Sequence, residues 1–244
     1  MKRADLSARM EPFDTVPAGY IRPGVESGYA LFGQYLGANY LPHMPKAKDA
    51  AILCISCAIG YFVKRLVEEG YTNVLGIDAD PDYIAQASKK GLNCIEAHAF
   101  PFLEEHPQSF DAIWCGNEVN HLTKEELIEF LRLCQYSLRP NGTVMIHSQN
   151  GANPITGMDG LAHNIDHQAV YTEYSLRQVL EYTGFKSIRI VPVRLYVFYW
   201  NPLNYLGIAI DFLLTSFFRL LFKFYQKNNR IFTKKIAGIG QKPA

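Results

Sequence analysis

Short apolar runs alternate with helix-like stretches along most of the chain, and this alternation restricts the fold more than any other feature. Four runs read as buried strands: "AAILCIS" (50–56), "TNVLGID" (72–78), "LNCIEA" (92–97) and "FDAIWCG" (110–116). Between them, "GYFVKRLVEEG" (60–70) and "PDYIAQASKKG" (81–91) have helical periodicity and end at a glycine. Strands that alternate with helices predict a parallel sheet with helices on both faces.

The same pattern continues beyond residue 120. Thr123 is followed three residues later by Glu126, which is the capping-box spacing at the start of a helix. A fifth strand at 143–148, a helix in "YSLRQVLEYTGF" and a sixth strand at 186–198 follow. Near the N-terminus, "SGYALFGQYLGANYL" predicts one or two helices at the edge of the sheet. In sheets of this kind, ligands bind beyond the carboxyl ends of the strands.

The turn after the first strand and the acid after the second predict a nucleoside site. Ser56, Ala58 and Gly60 are small enough for the backbone to approach a ligand closely, although the turn lacks the dinucleotide fingerprint G-x-G-x-x-G. Asp78 ends the second strand, where a carboxylate can accept hydrogen bonds from ribose hydroxyls. The alternative is a helix-capping or surface aspartate. Turn and acid together favour an adenosine ligand.

The cysteines favour packing over chemistry. Five cysteines, an odd number without a secretory signal, argue against a disulfide framework. Cys54-x-x-Cys57 could be a redox pair, but Cys54 falls inside the strand, and side chains so spaced on extended chain do not converge readily. A zinc site would need a second close pair, which is missing. We expect small core cysteines and no metal.

From residue 50 to 195 the chain resembles the class I S-adenosylmethionine-dependent methyltransferases. In that family the first motif is often an apolar strand followed by Asp, an apolar residue, Gly-Cys-Gly or Gly-Cys-Ala, any residue and then Gly. "ILCISCAIGYF" is similar to it, with Cys54 in place of the Asp and Ser56 in place of the first Gly. "VLGIDADPDYIAQA", "SFDAIWCGNEVNHL", "LRPNGTVMIHSQNGANP" and "YTEYSLRQVLEYTGFKSIRIVPV" resemble later family segments in the same order, and "TKKIAGIGQKP" resembles the last strand.

The resemblance implies a Rossmann-like, doubly wound α/β fold whose seven-stranded sheet is mostly parallel, with an antiparallel last strand. Residues 1–49 would form a helical cap, and residues 50–244 the methyltransferase domain. The methyl donor would be S-adenosylmethionine and the product S-adenosylhomocysteine. The expected cofactor-binding residues are Ser56, Cys57, Ala58, Gly60, Asp78, Ala79, His98 and Asn117. The departures at Cys54, Ser56 and His98 leave a second hypothesis open, a degenerate fold that serves as a binding or scaffold protein.

Histidines near the expected acceptor side are the candidate general bases, because histidine exchanges a proton near neutral pH. His121 follows the fourth strand, and His167 lies in "GLAHNIDHQAVYT", which resembles a D-x-T-H segment of sugar- and lipopolysaccharide-associated members. A capping or packing role for His121 is the alternative. The expected substrate-binding residues are Glu118, Asn150, His163 and Asp166.

An apolar insertion at 200–229 separates the last two strands, within a tail that is strongly basic. From Leu195 to Ala244 there are seven Lys or Arg residues and one acid, Asp211, although the whole chain has a net charge of only +1. The run lacks the polar, basic face that nucleic acids select. Asp211 and Arg219 interrupt it as a membrane span, whereas an interfacial helix tolerates both.

We therefore expect an enzyme that methylates a hydroxyl on a glycan, lipid-linked sugar or isoprenoid-type acceptor. The sequence predicts peripheral membrane contact through residues 205–227 and no nucleic-acid partner. Packing of the helix on its own domain, or on a second copy in a homodimer, remains an alternative. The N-terminus lacks the continuous apolar core of a secretory signal, which favours an unprocessed cytoplasmic protein, peripheral at the inner face of the membrane.

Overall fold

The structure, a computed structural model, describes residues 26–162, 164–165 and 167–244, without the side chains of Glu26, Ser27, Asn117 and Glu118. The strands are β1 (Ile52–Ile55), β2 (Val74–Asp78), β3 (Cys94–Glu96), β4 (Phe110–Glu118), β5 (Leu138–Gln149), β6 (Lys186–Val193) and β7 (Lys235–Gln241). The helices are α1 (Glu26–Tyr40), α2 (Tyr61–Glu68), α3 (Pro81–Lys89), α4 (Ala99–Glu105), α5 (Lys124–Ser137), α6 (Asp159–Ala162), α7 (Glu173–Tyr182) and α8 (Pro202–Phe224).

The seven strands form one sheet in the order β3-β2-β1-β4-β5-β7-β6. Strands β1 to β5 pair in parallel, and β7 pairs antiparallel with both β5 and β6. The strand order reverses between β1 and β4, where a doubly wound sheet leaves a crevice for ligands. The expected seven-stranded, mostly parallel sheet with an antiparallel last strand is confirmed.

Apolar side chains fill both faces of the sheet. On one face, α4, α5 and α7 pack over alternate residues of the central strands, for example Leu53 and Ile113. On the other face, α1 and α2 cover Cys54 and Trp114, and the ring of Tyr40 at the end of α1 stacks edge-on against Trp114, 5.6 Å away. Helix α1 therefore covers a face of the sheet over the central strand β4, and not its edge as the sequence predicts.

Two local features show how side chains set the limits of elements. Thr123 and Glu126 form the expected capping box at the start of α5, with Glu126 N donating to Thr123 Oγ1 and Thr123 N donating to the Glu126 carboxylate. Strand β6 ends at Val193, five residues before its predicted end. The side chain of Asn39 donates to the backbone carbonyl of Arg194 and accepts its backbone N–H. These two groups are therefore not available to pair with a neighbouring strand.

The turn from β1 to α2 keeps a left-handed backbone at three positions. The φ angles are 50° at Ser56, 49° at Ala58 and 83° at Gly60. Glycine adopts this conformation freely, whereas a residue with a Cβ pays about 1–2 kcal/mol for it. The turn therefore retains the shape of a glycine-rich loop although two of its three positions carry side chains.

We expect Ala58→Gly to stabilise the protein by about 0.5–1 kcal/mol, because relief of the strained φ exceeds the extra chain entropy of glycine. Ala85→Gly is the matched control, because Ala85 is exposed inside α3 and the same change there should cost about 1 kcal/mol. Urea unfolding measures both free energies. A loss of stability in Ala58→Gly as large as that in Ala85→Gly would contradict the strain at this turn.

Candidate active site

A small depression lies at the carboxyl ends of β1 and β2, in the crevice beside the strand-order reversal. It is shallow and encloses no space for a water molecule, whereas small-molecule sites typically measure roughly 300–1,000 Å³. A small-molecule ligand would therefore extend beyond it along the strand ends. Its lining residues are Ile55, Ser56, Ile77, Asp78, Ala79, Ala97 and Ala99.

Asp78 connects the turn after β1 to the start of α3. One carboxylate oxygen accepts the N–H of Ala58 at 2.8 Å and the other accepts the N–H of Asp80 at 3.0 Å. Burial raises the pKa of Asp78, and the two amides oppose that shift. Each carboxylate oxygen has a second lone pair, so Asp78 can still accept hydroxyl donors from the depression.

The other predicted cofactor residues surround the depression at different depths. Ser56 and Ala79 line it, while Gly60 is buried behind it, where a Cβ would lie 2.6 Å from a Leu92 methyl group. His98 is exposed at the N-cap of α4, and its neighbours Ala97 and Ala99 line the depression in its place. The side chain of Asn117 lies outside the described residues.

Cys57, in the turn after β1, interacts with Cys94 and not only with Cys54, its partner in the C-x-x-C spacing. The thiols of Cys57 and Cys94 hydrogen-bond, which raises the pKa of Cys57 and lowers that of Cys94. Both sulfurs lie against Gly76, where a Cβ would come within 2.9 Å of each. Cys54 is fully buried in β1, and burial raises its pKa. Among the described residues no group of three metal-binding side chains occurs.

The two histidines predicted as bases are neighbours. The ring centroids of His121 and His167 are 4.6 Å apart in an edge-to-face arrangement. His121 is buried at the end of a 3-10 turn after β4, and His167 is half-buried. Nδ1 of His167 faces the carbonyl of Gly160, which can only accept, so Nδ1 carries a proton. In the neutral ring Nε2 is then the proton acceptor.

Asn120 holds the loop of His121 against the loop of His167. The side-chain NH₂ of Asn120 donates to the carbonyl of Ala169, and its side-chain oxygen accepts the N–H of Gln149. The backbone carbonyl of Asn120 accepts the N–H of Gln168 at 2.7 Å. Asn120 is fully buried. The histidine contact therefore depends on a fixed clamp between the ends of β4 and β5 and not on two exposed side chains that meet by chance.

Of the predicted substrate contacts, Asn150 has a structural role. It is 1% exposed; its amide donates to the carbonyls of Ile231 and Thr233, and its oxygen accepts the N–H of Ala152. These bonds occupy the side chain of Asn150 with backbone groups, and its role as a substrate contact stays a prediction. His163 and Asp166, and the side chain of Glu118, lie outside the described residues.

Sequence reasoning missed Gln149, the last residue of β5. Its side chain is buried beneath Gly160, and its Oε1 has no hydrogen-bond partner among the described residues. Gly160 is also the residue whose carbonyl orients His167. The only signal in the sequence is a polar residue at the end of the apolar run "TVMIHSQ".

Part of the chain matches a family model. Residues 52–142, from β1 into β5, match the model described as "Methyltransferase domain". Human N-terminal Xaa-Pro-Lys N-methyltransferase 1 is 34% identical over 108 residues, which are 41% of this chain and 48% of that protein. The cattle (Bos taurus) protein of the same name is 36% identical over 108 residues, with the same coverage. The chain thus spans about half the length of the curated relatives it matches.

Solved structures extend the similarity to nearly the whole chain. A SAM-dependent methyltransferase from Archaeoglobus fulgidus superposes with a TM-score of 0.63 at 20% identity, covering 88% of this chain and 94% of that one. Phosphoethanolamine N-methyltransferase 2 from Haemonchus contortus, in complex with S-adenosyl-L-methionine, gives 0.57 at 15% identity, with 94% and 62% covered. The chain therefore has the class I methyltransferase fold, and its residues 52–142 match a methyltransferase domain.

Proposed function

We propose that this protein transfers a methyl group from S-adenosylmethionine to a hydroxyl of a glycan, lipid-linked sugar or isoprenoid-type acceptor at a membrane surface. One observation carries the proposal. The turn with Asp78 and the contact between His121 and His167 both lie at the carboxyl edge of the same parallel sheet. Donor and acceptor bound there would meet across the ends of β1, β4 and β5.

The residues around the depression suit the adenosine part of the donor. Asp78 has free lone pairs for ribose hydroxyls, and Ser56, Ala79 and Ala97 form a lining of small side chains beside it. Buried Ile55 and Ile77 supply an apolar floor. When bound, the donor supplies a methyl group on a positively charged sulfur, which makes that carbon electrophilic.

The histidine pair suits removal of the acceptor proton. His167 presents Nε2 as a base because Gly160 holds the proton on Nδ1. The ring of His121, fixed by the Asn120 clamp, contacts the ring of His167 and limits its rotation. A hydroxyl that attacks the methyl carbon would pass its proton to His167, while alignment of the two substrates supplies most of the acceleration.

The second candidate acceptor is an amine. It is motivated by the relatives, since the human protein that is 34% identical over 108 residues is named for methylation of N-termini. Purified protein incubated with methyl-labelled S-adenosylmethionine and a membrane glycolipid extract distinguishes the candidates, because mass spectrometry locates the label on oxygen or nitrogen. A protein that binds the donor but labels no hydroxyl in the extract would contradict the proposed reaction.

A binding or scaffold role remains the non-enzymatic alternative, motivated by Cys54, Ser56 and His98. Cys54→Asp would place a carboxylate at a fully buried position of the central strand, whereas Ser56→Gly only relaxes a φ of 50°. If the site has decayed, Ser56→Gly raises donor affinity. If the site works with its own geometry, Ser56→Gly leaves affinity unchanged or lowers it. Calorimetric titration of the donor measures both variants.

For the donor site, we expect Asp78→Asn to weaken S-adenosylmethionine binding at least about tenfold, because the amide loses charged hydrogen bonds worth about 1.5–3 kcal/mol. Asp80→Asn is the matched control. Asp80 caps α3 through the N–H groups of Asp82 and Tyr83, and asparagine caps equally well. Calorimetry with the donor checks both variants. Equal affinities in the two would exclude Asp78 from the donor site.

For catalysis, we expect His167→Ala to lower kcat about 10²–10⁴-fold while the donor dissociation constant stays unchanged, since a general base contributes about that factor. His106→Gln is the control, because His106 lies at the C-terminal end of α4, stacked on Phe102 and away from the strand ends that hold the site. An unchanged kcat in His167→Ala would remove His167 from the mechanism.

A further inference from the structure

Helix α8 packs on the domain through a narrow stripe of its own surface. The buried or half-buried positions recur every three or four residues: Asn204, Gly207, Asp211, Thr215, Phe218 and Phe222. Asn204 accepts the N–H of Phe198, Gly207 lies against the ring of Tyr196, and Phe222 stacks on Phe232 with centroids 4.7 Å apart. Most of this stripe is polar or small, so the domain-facing side is not the apolar side of the helix.

The apolar side of α8 faces away from the protein. Only 11% of its most apolar stretch of 18 residues is buried. Among the described residues, α8 is the one helix that is long and apolar enough to cross a membrane. The outward side chains include Leu203, Leu206, Phe212, Leu213, Phe217, Leu220 and Phe224, each more than half exposed. Apolar surface of this extent marks an interaction site and is not an ordinary feature of a soluble surface.

The ends of α8 return to the same edge of the sheet. Val193, at the end of β6, and Gln149, at the end of β5, both pair with Lys235 at the start of β7. The N–H groups of Arg230 and Ile231 are held by the carboxylate of Glu173. A single membrane crossing would separate the two ends of α8 by the bilayer, which this pairing forbids. Because the helix leaves and returns at one edge, any membrane contact of α8 would be along the membrane surface and not across the bilayer.

The flanks of α8 match a lipid surface in both polarity and charge. Tyr199, Trp200 and Tyr205 are exposed around its first turn, and amphipathic aromatic rings favour the headgroup region. Lys223, Lys227 and Arg230 follow at the other end. The tail from Leu195 carries seven basic residues and one acid, and of the basic residues only Lys242 lies at the opposite edge of the sheet, bonded to the Leu138 carbonyl. Basic residues beside a bilayer are attracted to anionic lipids. A second copy with the same basic flank would repel this one unless it were arranged antiparallel.

We infer that α8 lies in the plane of an anionic bilayer, with its outward apolar face among the acyl chains and the carboxyl edge of the sheet turned toward the lipid. This inference deepens the proposed function and rests on it only for its last step, delivery of a lipid-linked acceptor to His167. The loop after β5 is fixed to the segment that follows α8 through Asn150 and Asn153. The acceptor side of the site and the membrane helix are therefore one rigid unit.

Flotation of the full-length protein with phosphatidylcholine vesicles, with and without phosphatidylglycerol, tests the inference. We expect the triple variant Leu213→Gln, Phe217→Gln, Leu220→Gln to lose at least about tenfold in partitioning, since each exposed side chain would otherwise enter the acyl region. Lys223→Gln and Lys227→Gln should each cost about fivefold, and only on phosphatidylglycerol. The control carries the same kind of change on other helices, at exposed Val67, Tyr136 and Tyr182. Equal loss in the control, or no flotation of the wild type, would overturn the inference.

Depth measurements separate an in-plane helix from a spanning one. Trp200 is exposed and the other tryptophan, Trp114, is buried. Trp200→Phe therefore removes the exposed tryptophan and leaves only the buried one in the background. Single tryptophans at Leu206, Leu213 and Leu220 in that background should be quenched equally by lipids brominated at one depth. Deepest quenching at Leu213 would indicate a span and contradict the inference.

Two further readings keep the outcomes distinct. Sedimentation without lipid reports self-association; a wild-type dimer that becomes monomeric in the triple variant, without flotation of either, would assign the face to a second copy and overturn the inference. Calorimetry with S-adenosylmethionine on the same samples isolates the proposed function. Flotation without donor binding would leave the membrane inference standing and remove the enzyme, and donor binding without flotation would do the reverse.

Discussion

The hydrogen bond from the Ala58 amide to the Asp78 carboxylate is the interaction on which the site depends. It joins the turn after β1 to the end of β2, while the N–H of Cys57 bonds to the carbonyl of Ile77 at 3.0 Å in the same junction. Together they fix a left-handed turn that its own residues do not favour. The carboxylate is buried at an energetic cost, since burial raises its pKa, and that cost is tolerable because two amides solvate it.

The fold could be predicted because its determinants are local and repeated. The apolar runs of β1, β2 and β4, the glycines that end α2 and α3 and the capping box at Thr123 each act within a few residues, and the structure follows them. Limits set by distant side chains could not be predicted. The end of β6 depends on the hydrogen bonds of Asn39 with Arg194, which is 155 residues away along the chain. No sequence pattern near Arg194 predicts these bonds.

The candidate site was predictable in its composition and not in its connections. Asp78, His121 and His167 can be selected as candidate site residues because each lies at the end of a predicted strand or in the loop that follows one. The carboxyl ends of parallel strands share one edge of the sheet, where ligands bind. Roles depend on hydrogen-bond partners, which sequence does not give. Asn150 follows a strand as a polar rim residue would, yet it is buried and its amide donates to backbone carbonyls of a neighbouring segment; the amide of buried Asn120 does the same. The thiol contact of Cys57 with Cys94 likewise arises from strand register across Gly76.

The position of α8 gives the antiparallel strand a physical role. If β7 were parallel, the connection from β6 would have to return to the amino edge of the sheet, and an apolar helix within it would lie far from the histidines. Because β7 runs antiparallel, the connection begins and ends at the carboxyl edge, beside Gln149 and the Asn120 clamp. A lipid-linked acceptor would then need to rise only from the headgroup region to reach His167. The same topology that forbids a single membrane crossing would thus place an in-plane α8 beside the edge where the chemistry is proposed to occur.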